Sequence, residues 1–476
     1  MTLATRGIAT VDPATGEPLE RYGEHTADEI GRAIAAAHDA QARWREAPFD
    51  ERAAVLHAAA SLLRERRDDY ARLITAEMGK PLGEAAAEIE KCARTCDFFA
   101  DEAEGFLADR VIETGAQDSR VTYEPLGVVL AIMPWNFPFF QVVRFAAPAL
   151  MAGNAGLLKH SPNTSGCALA IERLLADAGL PTGLFCALLV GDAAVGEVMP
   201  TIIEDPRVAA VTLTGSERAG TAVGAAAGRA LKKSVLELGG SDPFIVLDDA
   251  DVAAVAGMAA RARFQNGGQS CIAAKRFIVA EPVADEFVER FAAAADEIVV
   301  GDPTDPATRM GPLARADLRD ALDEQVRASV DRGARVLCGG RPLDRPGFFY
   351  APTVLADVTP DMPVFREETF GPVAAVVRAA DEDQIVALAN DTQYGLGASV
   401  WTSDVERGLR VGRRVRSGAL FVNAIVASDP RVPFGGTKRS GYGRELAAEG
   451  IREFVNVRTV WVGAKPAAEA APRAAE

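Results

Sequence analysis

The sequence predicts an α/β fold of at least two lobes, each built on a largely parallel sheet. Three observations carry this reading. A chain of 476 residues is too long for a single hydrophobic core. Strand-like and helix-like segments alternate from about residue 120, the pattern of βαβ units. The alternation starts afresh after the Gly239-Gly240 pair, which marks a boundary between lobes.

The elements follow in order. Residues 27–45, 49–66 and 84–108 carry apolar side chains at helical spacing. Beyond Arg120, residues 121–123 and 127–132 read as strands. Residues 156–159, 184–190 and 208–213 continue as strands, with helices over 164–178 and 216–227. The second series opens at Pro243-Phe244-Ile245-Val246-Leu247 and runs to about Asn423. Residues 457–462 form a strand with no neighbour in sequence, so it must pair at long range or with another subunit. The tail from Ala464, rich in Ala, Pro and Glu, reads as disordered.

Hydrophobic residues make up 49% and charged residues 25%, as in ordinary globular proteins. A net charge of -16 argues against nucleic acid as a partner, because phosphate contacts need Lys and Arg surfaces. A small anionic substrate needs only a local cation. The six cysteines are scattered, which argues against a disulfide framework. The N-terminal stretch has no signal-peptide core, and no apolar run is long enough for a bilayer. A cytoplasmic protein without a membrane partner is expected. Cys92 and Cys96 stand at i, i+4 with no second Cys/His cluster, so they read as helix packing and no metal site is expected.

Cys271 ends the stretch Asn266-Gly267-Gly268-Gln269-Ser270-Cys271. A lone cysteine is most often structural. One that follows a Gly-Gly-Gln turn is placed by backbone rather than by packing, which suits a nucleophile. None of the four histidines is near it in sequence, so a carboxylate acting through water is the more natural base. Glu237, in Leu236-Glu237-Leu238-Gly239-Gly240, reads either as a strand-end glutamate facing water or as that base, its pKa raised by burial. Asn136, in Pro134-Trp135-Asn136-Phe137-Pro138, reads either as a turn residue or as an amide donor to an oxyanion, with the Cys271 N–H as second donor. Together the three read as aldehyde or acyl chemistry.

The usual G-x-G-x-x-G dinucleotide fingerprint is absent. Instead, Leu213-Thr214-Gly215-Ser216 closes a strand and opens a helix whose N-terminus suits a phosphate. Lys159 ends another strand, where a solvated lysine is equally in keeping.

Six segments together resemble the aldehyde dehydrogenase superfamily in order and spacing. They are Met133 to Pro138, Thr212 to Ser216, Leu236 to Gly240, Gly268 to Cys271, Glu367 to Pro372 and Pro433 to Gly436. The resemblance covers nearly the whole chain. It implies a Rossmann-like cofactor domain over 1–106 and 127–238, and an α/β catalytic domain over 239–436. It also implies an oligomerisation element over 107–126 and 450–463 in a homodimer or homotetramer. Cys271 would attack the aldehyde, Asn136 and the Cys271 N–H would hold the oxyanion, and Glu237 would activate the water that hydrolyses the thioester. Glu368 and Phe370 would hold the nicotinamide ribose and Lys159 the adenosine ribose. Trp135, Gly215 and Ser216 would line the dinucleotide path.

Within the superfamily, Val143 to Leu150, Lys159-His160, Leu238 to Phe244 and Ala274 to Phe277 are similar to the short succinate-semialdehyde dehydrogenases. That likeness implies oxidation of an aldehyde with a distal carboxylate, in 4-aminobutyrate breakdown or a related pathway. Arg144, eight residues after Asn136, would bind the carboxylate, helped by Ser428 in the pocket and by Arg263 as a second cation. Pro162 stands where NAD-preferring relatives often carry Glu, so NADP is the expected cofactor, with NAD also possible. Ile272 and Ala273 follow Cys271 where some relatives carry a second cysteine, which argues against a redox pair there. Three other readings stay open: an enzyme for another short aldehyde such as glutarate semialdehyde, a CoA-acylating enzyme, and a non-catalytic structural member.

Overall fold

The computed structural model describes residues 7–463. The tail expected to be disordered lies outside the described residues. Two large sheets dominate. The first has six strands in the spatial order Gly441–Tyr442, Lys233–Glu237, Val208–Thr214, Val128–Met133, Ala155–His160 and Phe185–Ala187. All its pairings are parallel except that of Gly441–Tyr442 with Lys233–Glu237. The second has seven strands, in the order Arg335–Cys338, Thr353–Ala356, Val373–Ala379, Ala274–Ala280, Asp242–Val246, Gly397–Trp401 and Ala419–Val422. Only its edge strand Arg335–Cys338 is antiparallel. Gly239 and Gly240 lie between the last central strand of one sheet and the first of the other.

Parallel strands with helices on both faces must be apolar on both faces. Period-two alternation sorts the second sheet accordingly. Phe244, Val246, Phe277 and Val279 enter one core, while Ile245, Leu247, Ile278 and Ala280 enter another. A third core joins the first sheet to the helices Ala27–Trp44, Phe49–Glu65, Arg67–Met78 and Leu82–Phe106.

The helix Phe140–Met151 is tied at both ends by side chains from those helices. Its N-terminus has no side-chain cap of its own. Glu88 supplies one from Leu82–Phe106, accepting from the Phe139 and Phe140 N–H groups at 2.9 and 3.0 Å. Lys80 neutralises Glu88 in a buried ion pair and lies over the Phe137 ring at 3.8 Å. At the other end, Trp44 Nε1 donates to the Leu150 carbonyl and Arg52 Nη1 to the Met151 carbonyl. Orphan groups at both helix ends are thereby satisfied.

Two differences from the sequence reading stand out, and one pairing left open there is resolved. A hairpin of Gly7–Val11 and Pro18–Gly23 precedes the first helix; the sequence does not mark it, because its second strand has no buried, alternating face. The strand expected over 184–190 is Phe185–Ala187 alone. The strand Val455–Val462 pairs antiparallel with Asp118–Pro125 along its whole length, so its partner lies at long range in the same chain. With Arg110–Val111 they form a separate three-stranded sheet. Among the described residues, no helix is long and apolar enough to cross a membrane.

Candidate active site

Cys271 is half-buried at the end of a loop held by backbone contacts. Asn266, Gly267 and Gly268 all take left-handed φ values, 55°, 60° and 71°. At Gly268 a side chain would run into the Gly371 carbonyl and the Arg263 guanidinium, so glycine is required there. Asn266 Nδ2 donates to the Asn136 carbonyl at 2.9 Å, and Asn136 Nδ2 donates to the Gln269 carbonyl at 3.1 Å. The Trp135-Asn136 turn and the Cys271 loop are thus joined directly. One Asn136 N–H is spent on this link, which leaves the other for a ligand. His160 fixes the turn from behind: its Nε2 stands 2.9 Å from the Pro138 carbonyl, while Nδ1 accepts from the Ser161 N–H.

Arg263 corrects the sequence reading. It is fully buried, and its guanidinium donates to the carbonyls of Ala274, Gly268, Thr369 and Gly371. It clamps the Cys271 loop to the Glu368–Gly371 segment and does not line the cavity that Cys271 opens onto. Lys275, which sequence reasoning passed over, shares this work. Its Nζ donates to the Ser270, Cys271 and Ala273 carbonyls and faces Glu368 at 3.5 Å. The signal was a lysine four residues after the cysteine.

Burial pushes the Cys271 thiol up to about 12, against the pull of Arg144 and Lys275. Glu368 and Glu237 add to the rise. Glu237, at the end of Lys233–Glu237, is 2% exposed. Neither of its oxygens has a hydrogen-bond partner among the described residues. Burial first, then the nearby Glu445, raises its carboxyl well above the usual range, while Arg144 and Arg444 oppose this. Such a carboxyl is basic enough to take a proton from water once it is ionised.

Arg144 is 2% exposed and forms a buried ion pair with Glu445. This is a charge contact rather than an aligned hydrogen bond, since Nε and both Glu445 oxygens lack a hydrogen-bond partner among the described residues. Nη2 donates to Thr214 Oγ1 at 3.3 Å, and the guanidinium lies 4.7 Å from the Phe434 ring centre. The arginine that the resemblance assigns to a substrate carboxylate is therefore already paired with a carboxylate of the protein. Of its three nitrogens only Nη2 donates a hydrogen bond to the protein, and Nη1 has neither a hydrogen bond nor the Glu445 contact. Glu445 was missed because it sits in a glycine-rich turn far along the chain, with no apolar run to mark it as buried.

A cavity of about 290 Å³ brings Cys271, Arg144, Ser428, Phe140 and Phe434 together, along with Lys91. Lys91 was also missed. Its signal was helical spacing: Glu84, Glu88 and Lys91 share one face of Leu82–Phe106.

The residues read as cofactor-binding sit on the first sheet and around Glu368. Ser216 caps the helix Glu217–Arg229, its Oγ accepting from the Ala219 N–H at 3.3 Å. The Gly215 N–H donates to the Glu237 carbonyl at 2.9 Å, which ties the capping turn to the end of the strand that carries Glu237. Lys159, 6% exposed at the end of Ala155–His160, has no ion pair among the described residues. A buried ammonium without a partner and a helix N-terminus both suit phosphate groups. Glu368 accepts from the Gly240 N–H at 3.0 Å, and Phe370 meets Trp135 edge-on at 5.7 Å. No cluster of His, Cys, Asp or Glu suited to a metal ion occurs among the described residues.

Comparison with known proteins gives the family of the chain. Residues 2–460 match the model of the aldehyde dehydrogenase family. A probable NADP(+) succinate-semialdehyde dehydrogenase of Synechocystis sp. is 50% identical, over 96% of this chain and 99% of its own. Succinate-semialdehyde dehydrogenase [NADP(+)] 1 of Mycobacterium tuberculosis is 51% identical, over the same shares of each chain. Among solved structures, the succinic semialdehyde dehydrogenase of Streptococcus pyogenes in complex with NADP+ superposes with a TM-score of 0.93. It is 37% identical and the match covers 96% of this chain and 100% of that one. The succinate-semialdehyde dehydrogenase of Burkholderia pseudomallei gives the same TM-score and identity, with 96% and 95% covered. With a thiol, a buried glutamate and an asparagine amide gathered between two α/β sheets, and with these matches along its length, the chain belongs to the aldehyde dehydrogenase family.

Proposed function

We propose that the chain oxidises succinate semialdehyde to succinate with NADP as hydride acceptor. The observation that carries this is the shared cavity: Cys271, Arg144 and Ser428 line one space. The thiolate of Cys271 adds to the aldehyde carbon, and the Asn136 amide and the Cys271 N–H hold the oxygen that becomes negative. NADP, when bound, supplies the two-electron acceptor that turns the adduct into a thioester. Glu237 then takes a proton from water, and the resulting hydroxide releases the acid from Cys271. A buried base beside the thiol supports hydrolysis over transfer to CoA. Arg144 and Ser428 face the substrate's far carboxylate. Lys159 meets the 2′-phosphate of NADP, since Pro162 puts no acid there to repel it. The chain acts as a homodimer or homotetramer joined through the sheet that carries Val455–Val462.

The test is a panel of succinate semialdehyde, glutarate semialdehyde and butanal, each assayed with NADP and NAD. The highest kcat/KM is expected for succinate semialdehyde with NADP. An equal or higher value for butanal removes the substrate assignment, and a higher value with NAD removes the cofactor assignment.

A further inference from the structure

Lys91 stands in the Cys271 cavity as a cation with no carboxylate paired to it among the described residues. The acids around it are already engaged. On its own helix, Glu88 is paired with Lys80 and accepts from two backbone N–H groups. Glu84 accepts from the Asn266 N–H at 2.9 Å. On the facing segment, Asp429 is held by both Nε and Nη2 of Arg431, at 2.8 and 2.7 Å. The other cations nearby, Arg94 and Arg144, add positive charge, and Glu445 answers Arg144 alone. Lys91 Nζ itself donates to Ser428 Oγ at 2.6 Å and lies 4.0 Å from the Phe140 ring centre. Neither a hydroxyl nor a ring cancels a full charge, and a cation removed from water ordinarily has an anionic partner. Burial, and then repulsion from Arg144, pushes the amine down to about 8. An anion reaching the ammonium would reverse both effects.

We propose that Lys91, oriented by Ser428, binds the distal carboxylate of the aldehyde and sets the preference for carboxylated over neutral short substrates. The inference rests on the aldehyde oxidation proposed above and names the residue that reads its substrate. One of the three ammonium N–H bonds goes to Ser428, which leaves two for the carboxylate. Arg144 contributes its field and the free Nη1, while its charge stays with Glu445.

The experiment measures kcat/KM for succinate semialdehyde and for butanal in the whole enzyme and in three variants. The readout is the ratio of the two. A charge-assisted hydrogen bond in a partly buried site corresponds to roughly ten- to a hundredfold in that ratio. Lys91→Met is expected to lower the ratio by that much, mainly through KM for the carboxylated aldehyde. Lys91→Arg, which keeps the cation, is expected to hold the ratio near that of the parent. Ser428→Ala, which leaves the helix untouched, is expected to lower it by a smaller factor, and it carries the test if Lys91→Met does not fold. An unchanged ratio in Lys91→Met, or in Ser428→Ala where that variant stands alone, overturns the proposal. So does an equal fall for both substrates. A parent enzyme that turns over neither aldehyde, or does not prefer the carboxylated one, points instead to failure of the proposed function.

Discussion

At the scale of single residues, Cys271 is placed by glycines and held neutral by burial. A thiol at about 12 is only a trace thiolate at neutral pH. Iodoacetamide labelling of the Cys271 peptide, followed by mass spectrometry, should therefore rise about tenfold per pH unit between pH 7 and 9. A plateau within that range would contradict the burial account. His160 makes a second case. Burial pushes it down to about 4, below the 6.5 of an unfolded histidine, against the opposing hydrogen bond to Pro138. Its contribution to stability is full above pH 6.5 and is lost as pH falls from 6.5 to 4, at a cost of about 3 kcal/mol. In urea melts between those pH values, the parent should lose stability more steeply than His160→Gln, and parallel slopes would refute this. Cys271, Glu237 and Asn136 were legible in sequence because each breaks a local rule: a thiol after glycines, an acid in an apolar strand, an amide between prolines. Lys91, Lys275 and Glu445 break no local rule. Their roles come from the groups that folding brings against them, Ser428 for Lys91, Glu368 for Lys275 and Arg144 for Glu445, which one dimension does not reveal.

At the scale of elements, the loop that carries Cys271 is fixed by Arg263, whose four carbonyl contacts reach two separate segments. Sequence proximity to Cys271 made it look like a substrate cation. What decides its role is burial, set by the strand Ala274–Ala280 and by the Thr369–Gly371 turn packing over it. Arg263→Met leaves carbonyls without donors and is expected to cost about 3 kcal/mol or more, seen as a lower urea midpoint. The preference for carboxylated over neutral aldehyde should survive in whatever folded enzyme remains. Loss of that preference with an unchanged midpoint would restore the substrate role. The helical and strand patterns of the first sheet's core and the βα alternation of the second were legible because period-two and helical patterns survive in long buried elements, whereas the helix Phe140–Met151, buried on every side, carries no such pattern. The Gly7–Val11 and Pro18–Gly23 hairpin was not, since the second strand is almost wholly exposed.

At the scale of the molecule, the strand Val455–Val462 forms one edge of a small sheet that stands apart from the two large ones. Val457 is 59% and Trp461 60% exposed on it. An open edge with exposed apolar side chains is a ready surface for another chain. Light scattering after size exclusion should give a dimer or tetramer, and Val457→Lys combined with Trp461→Lys should shift it toward monomer with secondary structure retained. A monomeric parent would refute the interface. The proposed reaction requires a thioester at Cys271 that water hydrolyses with Glu237 as base, and Glu237→Gln isolates it. Mixed with succinate semialdehyde and NADP, this variant should release about one NADPH per subunit in a burst and then stall. The Cys271 peptide should then carry the mass of one succinyl group. Steady turnover at the parental rate, or a burst with no mass added at Cys271, would contradict the mechanism.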